Sequence, residues 1–376
     1  MHPRNRRVIR TDLLRKNMEK IRGTVAPQVK VMAVVKADAY GHGFFEAARA
    51  FIEGGADMLA VASVAEGTKL RQNGIAVPIL VLGAVTAEDA AEGVAEGLIQ
   101  TVCSAEMVHL CEMAAAEQNK QTEVHLKIDT GMGRIGVRTE EELKAVTDEI
   151  KSSGHVLLTG AFTHFSDADD GPEGMEYTEQ QFQKFLQLTS CLPERLLLHC
   201  SNSAAIHRRP EYALGMVRAG ISLYGYPPVA ERDLKLEPCM RWTAKISYIK
   251  ELPEGEYISY GRTFRTEKHM RVATVTCGYA DGYHRAAGEK AEVLIRGKRA
   301  KIIGRICMDQ MLADISGIPE ARTEDEVVLI GTDGNERITA EDIAKWSGTI
   351  SYEILLSVGS RVERVFENPE VTCKGE

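Results

Sequence analysis

The chain has 376 residues, 44% of them hydrophobic, enough apolar material for a large core divided over two domains. Its 54 acidic residues outnumber 46 basic ones, and the resulting formal charge of −8 excludes a general nucleic-acid or anionic-membrane surface. The eight cysteines, Cys103, Cys111, Cys191, Cys200, Cys239, Cys277, Cys307 and Cys373, are scattered without a Cys-x-x-Cys pair and read as reduced thiols of a cytosolic protein. No metal is expected, because no carboxylate or further histidine falls at ligand spacing around His199 and His207. Arg4, Arg6, Arg7 and Arg10 make the start basic, but no long apolar stretch follows them, so neither a signal peptide nor a membrane anchor is expected.

In chain order, Val8–Arg10 reads as a short strand that joins a later β domain. The run Val31–Val35 is apolar and partly β-branched, as in a strand buried on both faces, and it stops at Lys36, beside Tyr40 and His42 in a glycine-bearing loop. An amine against an apolar wall suits a Schiff-base lysine; a snorkelling lysine at a strand end fits the run alone equally well. Further strands are predicted at Met58–Ala62, Pro78–Leu82, Ile99–Cys103, Glu123–Ile128, Leu157–Thr163, Leu196–Cys200 and Val217–Leu223, making eight in all. Helical patterns separate them, from Phe44–Glu53 to Ser203–Arg208. Strand then helix, eight times, predicts an α/β protein whose residues 11–228 form a (β/α)8 TIM barrel. An open doubly wound sheet is the alternative, but no Gly-x-Gly-x-x-Gly turn follows the first strand. Beyond Pro227-Pro228 the runs shorten: Thr243–Ile249, Val272–Thr276, Ala291–Ile295, Ala300–Ile306 and Val327–Ile330. Residues 229–376 therefore read as a mostly β C-terminal domain with helices near Thr339–Trp346 and Ser351–Leu356.

A barrel concentrates chemistry where strands end. Lys36 follows the first predicted strand, Lys127 and Asp129 close the fifth, and His164 follows the sixth. Ser201-Asn202-Ser203 follow the seventh, and Arg218, Gly220 and Ile221 lie on the eighth. Pyridoxal 5'-phosphate needs a lysine, a polar cradle for its phosphate and a partner for its ring nitrogen. Lys36 supplies the first, Tyr40, Ser203 and the Gly220/Ile221 backbone the second, and Arg218 the third. A guanidinium stays protonated, so it keeps the ring nitrogen unprotonated and the electron sink weak.

The motifs Val34-Val35-Lys36-Ala37-Asp38-Ala39-Tyr40-Gly41-His42-Gly43, Lys127-Ile128-Asp129-Thr130-Gly131-Met132-Gly133-Arg134, Thr163-His164-Phe165, Asn202-Ser203-Ala204, Val217-Arg218-Ala219-Gly220-Ile221, Ser259-Tyr260-Gly261-Arg262-Thr263-Phe264, Gly278-Tyr279-Ala280-Asp281-Gly282 and Gly304-Arg305-Ile306-Cys307-Met308-Asp309 occur in this order. Together they resemble the alanine racemase family of pyridoxal-phosphate enzymes, over nearly the whole chain. The resemblance implies interconversion of L- and D-alanine, a small amino-acid substrate, by a cytoplasmic enzyme supplying D-alanine for peptidoglycan. It implies that Lys36 binds the cofactor and acts as base on one face of the substrate, while Tyr260 from a second subunit acts on the other. One base alone would return its proton to the same face. A tyrosine, with an ordinary pKa near ~10, needs help toward the phenolate. Arg134 resembles the arginine at the cofactor's phenolic oxygen and the substrate carboxylate, and Lys127 the lysine carbamylated in many relatives (N6-carboxylysine). His164 resembles the histidine that orients the ring-nitrogen arginine; Tyr279 and Tyr352 resemble tyrosines of the entrance and phosphate site. Met308 and Asp309 resemble residues contributed by the partner near the substrate carboxylate, so the expected unit is a homodimer with composite active sites.

Two rivals are weaker. A decarboxylase of the same fold is expected to set a carboxylate, not Arg218, against the ring nitrogen, and a non-enzymatic pyridoxal-phosphate carrier has no use for a second base. Bulky Tyr352 and Met308 favour alanine over serine. Departures from the family pattern fall at the ends, in Arg7-Val8-Ile9-Arg10-Thr11-Asp12 and in the tail Val358-Gly359-Ser360-Arg361-Val362-Glu363-Arg364, which lacks the usual tyrosine and proline.

Overall fold

The computed structural model describes residues 4–369; Cys373 lies outside the described residues, and the other seven cysteines are free thiols. Two compact units divide the chain. One comprises Leu14–Ala39 and Phe44–Glu237; the other takes the described residues up to Leu13, Tyr40–Gly43 and those from Pro238 onward. Among the described residues no helix is long and apolar enough to cross a membrane.

The first unit is the nearly closed barrel. After a strand that belongs to the other unit, β1 (Arg6–Arg10), the chain lays down β2 (Lys30–Val34), β3 (Met58–Val61), β4 (Ile79–Ala84), β5 (Ile99–Val102), β6 (Thr122–Lys127), β7 (Val156–Phe162), β8 (Leu197–His199) and β9 (Met216–Ala219). These eight, β2 to β9, pair in parallel in the order β8-β7-β6-β5-β4-β3-β2-β9. No ladder joins β8 to β9. Instead the Gly215 N–H donates to the Leu198 carbonyl at 3.1 Å and the Arg218 N–H to the Ser201 carbonyl at 3.0 Å. Val31, Met32, Ala33, Val34 and Val35 are all buried, as expected of a strand with side chains on one face and helices on the other. Five of the eight strands, β3 to β6 and β8, lead to a helix through a short polar cap residue. Ser63, Thr86, Ser104, Thr139 and Asn202 each accept an N–H from the first turn of the following helix, satisfying a donor the helix itself leaves open.

Two local departures from the sequence reading lie at the strand ends. The eighth strand stops at Ala219 rather than Leu223, because the chain turns at Gly220 into a 3₁₀ turn over Ile221–Tyr224. The segment after β2 is not an irregular loop. From Ala37 to Tyr40 the backbone holds φ between 52° and 53°, a single left-handed helical turn built without glycine. Each such residue costs about 1–2 kcal/mol. The Ala39 N–H closes the turn onto the Val35 carbonyl at 2.9 Å, and the Asp38 carboxylate accepts the Phe44 N–H at 3.1 Å, starting the helix Phe44–Glu53.

The second unit is built on the long strand β10 (Met240–Leu252). It pairs antiparallel with β1, with Met270–Val275 and with Glu326–Asp333. The hairpin Glu292–Ile295/Lys298–Lys301 turns through Arg296 at φ 51° and Gly297 at φ 74°, the left-handed pair that matches strand twist. Helices Ala340–Ser347 and Ser351–Ser357 interrupt the sheet. The atypical tail turns over Val358–Val362 and ends in a strand: Glu363–Glu367 runs parallel to β1, and the buried Arg7 donates to the Val358 carbonyl at 2.6 Å.

Gly160 on β7 shows how tightly the barrel interior is filled. A Cβ there would lie 2.7 Å from the His125 ring and 2.8 Å from the Leu197 carbonyl, so β7 can carry no side chain at this height. Gly160→Ala is expected to lower stability by about 1–3 kcal/mol, read as a reduced urea midpoint with an unchanged slope.

Candidate active site

In the barrel, the group with the least freedom is Arg218. It is fully buried on β9, and the same residue pairs with Met32 of β2. Its Nη1 donates to His199 Nδ1 at 3.0 Å and to the His199 carbonyl at 3.0 Å. Its Nη2 donates to the carbonyls of Thr163 at 2.8 Å and Cys200 at 3.0 Å, and to His164 Nδ1 at 3.2 Å. All these acceptors are neutral. Burial, with Arg134 adding to it, brings the guanidinium down to about 10, still protonated at neutral pH.

A guanidinium has no lone pair to offer, so both histidines must face it with bare Nδ1 atoms. His199 is then the Nε2–H tautomer and donates to His125 Nδ1 at 3.0 Å, which extends the chain one step deeper. Burial first and the Arg218 charge second hold His164 and His199 well below the usual range and put His125 at about 3. The three imidazoles are neutral. His199 also stacks on Phe162 at 4.9 Å with an interplanar angle of 4°, and Arg218 and Lys127 both lie over that ring, at 5.5 and 5.4 Å.

Lys127 ends β6 almost fully buried, donating to the Ile128 carbonyl at 2.8 Å. Desolvation, then Arg218, brings its amine down to about 8, against the opposing pull of Asp129. Asp129 is turned elsewhere: it accepts the N–H groups of Gly131 and Gly133, at 3.0 Å each, and so shapes the loop that carries the exposed Arg134. Gly136 closes this loop, because a Cβ there would sit 2.5 Å from the Asp129 nitrogen. Lys36, half-buried at the end of β2, has its pKa lowered by desolvation, Arg134 and Arg218, with Glu66 opposing. Ser203 accepts the Gly220 N–H at 2.9 Å, which ties the turn after β8 to the turn that carries Ile221. Thus Lys36, Lys127, Arg134, His164 and Arg218 share one electrostatic neighbourhood, and Ser203, Gly220 and Ile221 sit on adjoining strand ends. Such a surplus of cations over carboxylates selects an anionic ligand.

Two further groups lie in the second unit. Tyr40 and Tyr352 pack with ring centroids 5.9 Å apart, and burial pushes the Tyr40 phenol up, keeping it a neutral hydroxyl. Tyr260 stands at the tip of the Tyr257–Ile258/Phe264–Arg265 hairpin, 67% exposed, between left-handed residues Ser259 (φ 63°) and Arg262 (φ 49°). The Ser259 hydroxyl donates to the Arg305 carbonyl at 2.5 Å, seating the tip on the segment that leads to Met308. Tyr279 is joined to the same segment: its N–H donates to the Cys307 carbonyl at 3.0 Å. Asp309 accepts from Arg361 at 2.8 Å, so the atypical tail reaches this group.

The sequence reading missed His125 and the structural part played by His199. His125 lies two residues before Lys127 and therefore on the same face of β6, the signal that would have found it.

The comparisons with known proteins run over the same two parts of the chain. Residues 9–228 match the family model of the alanine racemase N-terminal domain, and residues 239–366 that of the C-terminal domain. The alanine racemase of Halothermothrix orenii is 42% identical over 358 residues, covering 94% of each chain, and that of Desulforamulus reducens is 40% identical over 365 residues, covering 95% of this chain and 97% of its own. Among solved structures, alanine racemase from E. faecalis superimposes with a TM-score of 0.91 at 36% identity, over 97% of this chain and 99% of that one. The alanine racemase of Bacillus anthracis with bound L-Ala-P gives 0.90 at 34% identity, over 98% and 96%. An arginine held by neutral imidazoles at the mouth of a parallel barrel, an ordered set of motifs, and relatives alike over nearly their full length thus converge: the chain belongs to the alanine racemase family of isomerases.

Proposed function

We propose that the chain interconverts L- and D-alanine with pyridoxal phosphate at the barrel mouth, with Lys36 and Tyr260 serving opposite faces of the substrate. The observation that carries this reading is Arg218, a buried cation whose partners are carbonyls and neutral imidazoles. A donor so fixed suits the unprotonated nitrogen of a pyridine ring, and the cationic neighbourhood suits a phosphate and a carboxylate. Lys36 would hold the cofactor, with Tyr40, Ser203, Gly220, Ile221 and Tyr352 around its phosphate. When bound, pyridoxal phosphate supplies an electron-withdrawing ring that acidifies the α-hydrogen of an amino acid.

The residues of this chain do the rest. Lys36 Nζ, its pKa lowered by burial and two arginines, exchanges a proton on one face. Tyr260 Oη does so on the other. Arg218 keeps its own protons and leaves the ring nitrogen bare, while His164 and His199 fix the plane of its guanidinium. Arg134 faces the carboxylate. Lys127, its amine brought down to about 8, is neutral in about a tenth of molecules at pH 7, far more than an ordinary lysine, and carbamate formation with CO₂ requires the neutral amine; the resulting carboxylate would meet Arg134.

Tyr260 belongs to the partner's site in this reading. What supports a homodimer is the exposure of Tyr257, Tyr260, Tyr279 and Met308, at 54%, 67%, 42% and 53%, more large apolar surface than a lone unit covers comfortably. With Met308 and Asp309 also coming from the partner, each site is composite and monomers are inactive. We assign the enzyme to the cytoplasm, supplying D-alanine for peptidoglycan.

The purified protein is expected to be yellow with pyridoxal phosphate and to racemise L-alanine with a higher kcat/KM than L-serine. Lys36→Ala is expected to lose the visible absorbance and about 10²–10⁴-fold in rate; a retained spectrum removes Lys36 from its role. Tyr260→Phe is expected to keep the cofactor and to slow α-deuterium exchange from one enantiomer far more than from the other, and equal slowing of both would count against two bases. For Lys127, a deprotonated amine becomes more abundant as pH rises through about 8. A carbamate signal in ¹³C NMR under ¹³CO₂ should therefore be present in the wild type, grow from acid to alkaline pH, and vanish in Lys127→Arg.

A further inference from the structure

One carboxylate bears on Lys36 and has no part in the reaction as described. Glu66 lies in the first turn of the helix Val64–Gln72, where its own N–H donates to the cap Ser63. Its side chain reaches back over the strand ends. Oε1 accepts the Ala37 N–H at 2.8 Å, and Oε2 accepts the Ala62 N–H at 2.7 Å. Ala62 directly follows β3, so one carboxylate spans the ends of two neighbouring strands.

The Ala37 N–H is the first amide of the left-handed turn. It belongs to the peptide that joins Lys36 to Ala37, and the plane of that peptide sets the backbone rotation at Lys36, hence the direction in which its side chain leaves β2. Four successive left-handed residues without glycine persist only where the surroundings over-determine them. The hydrogen bond from Ala37 to Glu66 is available in this geometry and fixes its first peptide. Charge reinforces geometry. Arg134 and Arg218 are the cations that act on Lys36, His164 beside them is neutral, and Glu66 is the opposing carboxylate.

We propose that Glu66 is the positioning residue of Lys36: its carboxylate locks the Lys36–Ala37 peptide onto the end of β3 and sets one negative charge against the two arginines. Glu66 acts through Lys36 and touches no reacting atom. The inference rests on Lys36 being the cofactor-bearing base.

Three variants of the full-length chain separate the two contributions. Glu66→Gln removes the charge and keeps one of the two acceptor oxygens, Glu66→Ala removes charge and acceptors, and Glu66→Asp keeps the charge on a shorter arm. By hydrogen-exchange mass spectrometry, the Ala37 amide should exchange about tenfold or more faster in Glu66→Ala and be accelerated less in Glu66→Gln, where one oxygen is left for two amides. By competitive acetylation of the cofactor-free chain across pH, Lys36 should titrate at least about half a pH unit lower in Glu66→Gln than in the wild type, with Glu66→Asp close to wild type. In the holoenzyme, Glu66→Ala should lose more than about tenfold in kcat with little change in KM, and Glu66→Gln should lose less. Wild-type protection of Ala37 in Glu66→Ala, or an unmoved Lys36 titration in Glu66→Gln, overturns the proposal. If exchange and titration respond as expected while the wild-type chain racemises nothing, the positioning role stands and the functional reading falls.

Discussion

A cation sealed inside a barrel without a carboxylate is the constraint around which this protein is organised. Leaving water costs the Arg218 guanidinium several kcal/mol, and no ion pair offsets it. Stability has to come from carbonyls at the ends of β7 and β8 and from imidazoles held neutral by burial first and by that same charge second. Each imidazole then has its tautomer dictated, and His199 passes the order on to His125. The consequence is a donor whose direction and protonation do not drift with pH over the range where enzymes work. A carboxylate partner would have given more Coulomb energy and the opposite electronics.

Much of the barrel was legible because buried parallel strands write a plain pattern. Val31–Val35 and Met58–Ala62 are unbroken apolar runs, and the structure ends them within a residue or two of the expected places. Helix starts were legible in principle as well, since Ser63, Thr86, Ser104 and Thr139 carry the capping oxygens. The left-handed turn at Ala37–Tyr40 was not, because alanine and tyrosine carry no signature of positive φ and one aspartate, though more tolerant of it, does not announce four such residues in a row. Its cause is tertiary: the Asp38 and Glu66 carboxylates take up its neighbouring amides. The end of β9 was misjudged for a similar reason, as Ile221-Ser222-Leu223 reads as strand by side chain and becomes a 3₁₀ turn by context. Among site residues, motifs carried the positions, whereas the proton pattern of His125, His199 and His164 needed coordinates, since a tautomer is decided by the atom opposite.

The second unit solves a different problem. Its tip residue Tyr260 projects, largely exposed, and a projecting side chain on a flexible loop loses its aim. Left-handed backbone at Ser259 and Arg262 and the Ser259–Arg305 hydrogen bond turn the tip into a rigid corner. Gly278 performs a comparable service for Tyr279, since a Cβ there would lie 2.5 Å from the Cys307 carbonyl. The tail, although it departs from the family pattern in sequence, still forms a strand beside β1 and brings Arg361 to Asp309.

The seam between β8 and β9 carries one more implication. These strands lack a ladder, and what joins them is a pair of backbone hydrogen bonds together with the Arg218 side chain reaching to His199 and Cys200. β9 also pairs with β2, the first strand of the barrel, so the ring closes through the contact most distant in sequence. Contacts of that kind form late, because loop-closure entropy must be met before they stabilise anything. During synthesis, then, a chain that has not yet delivered β9 has neither a closed ring nor a guanidinium in place, so the barrel and the donor we propose for the cofactor are completed in a single event.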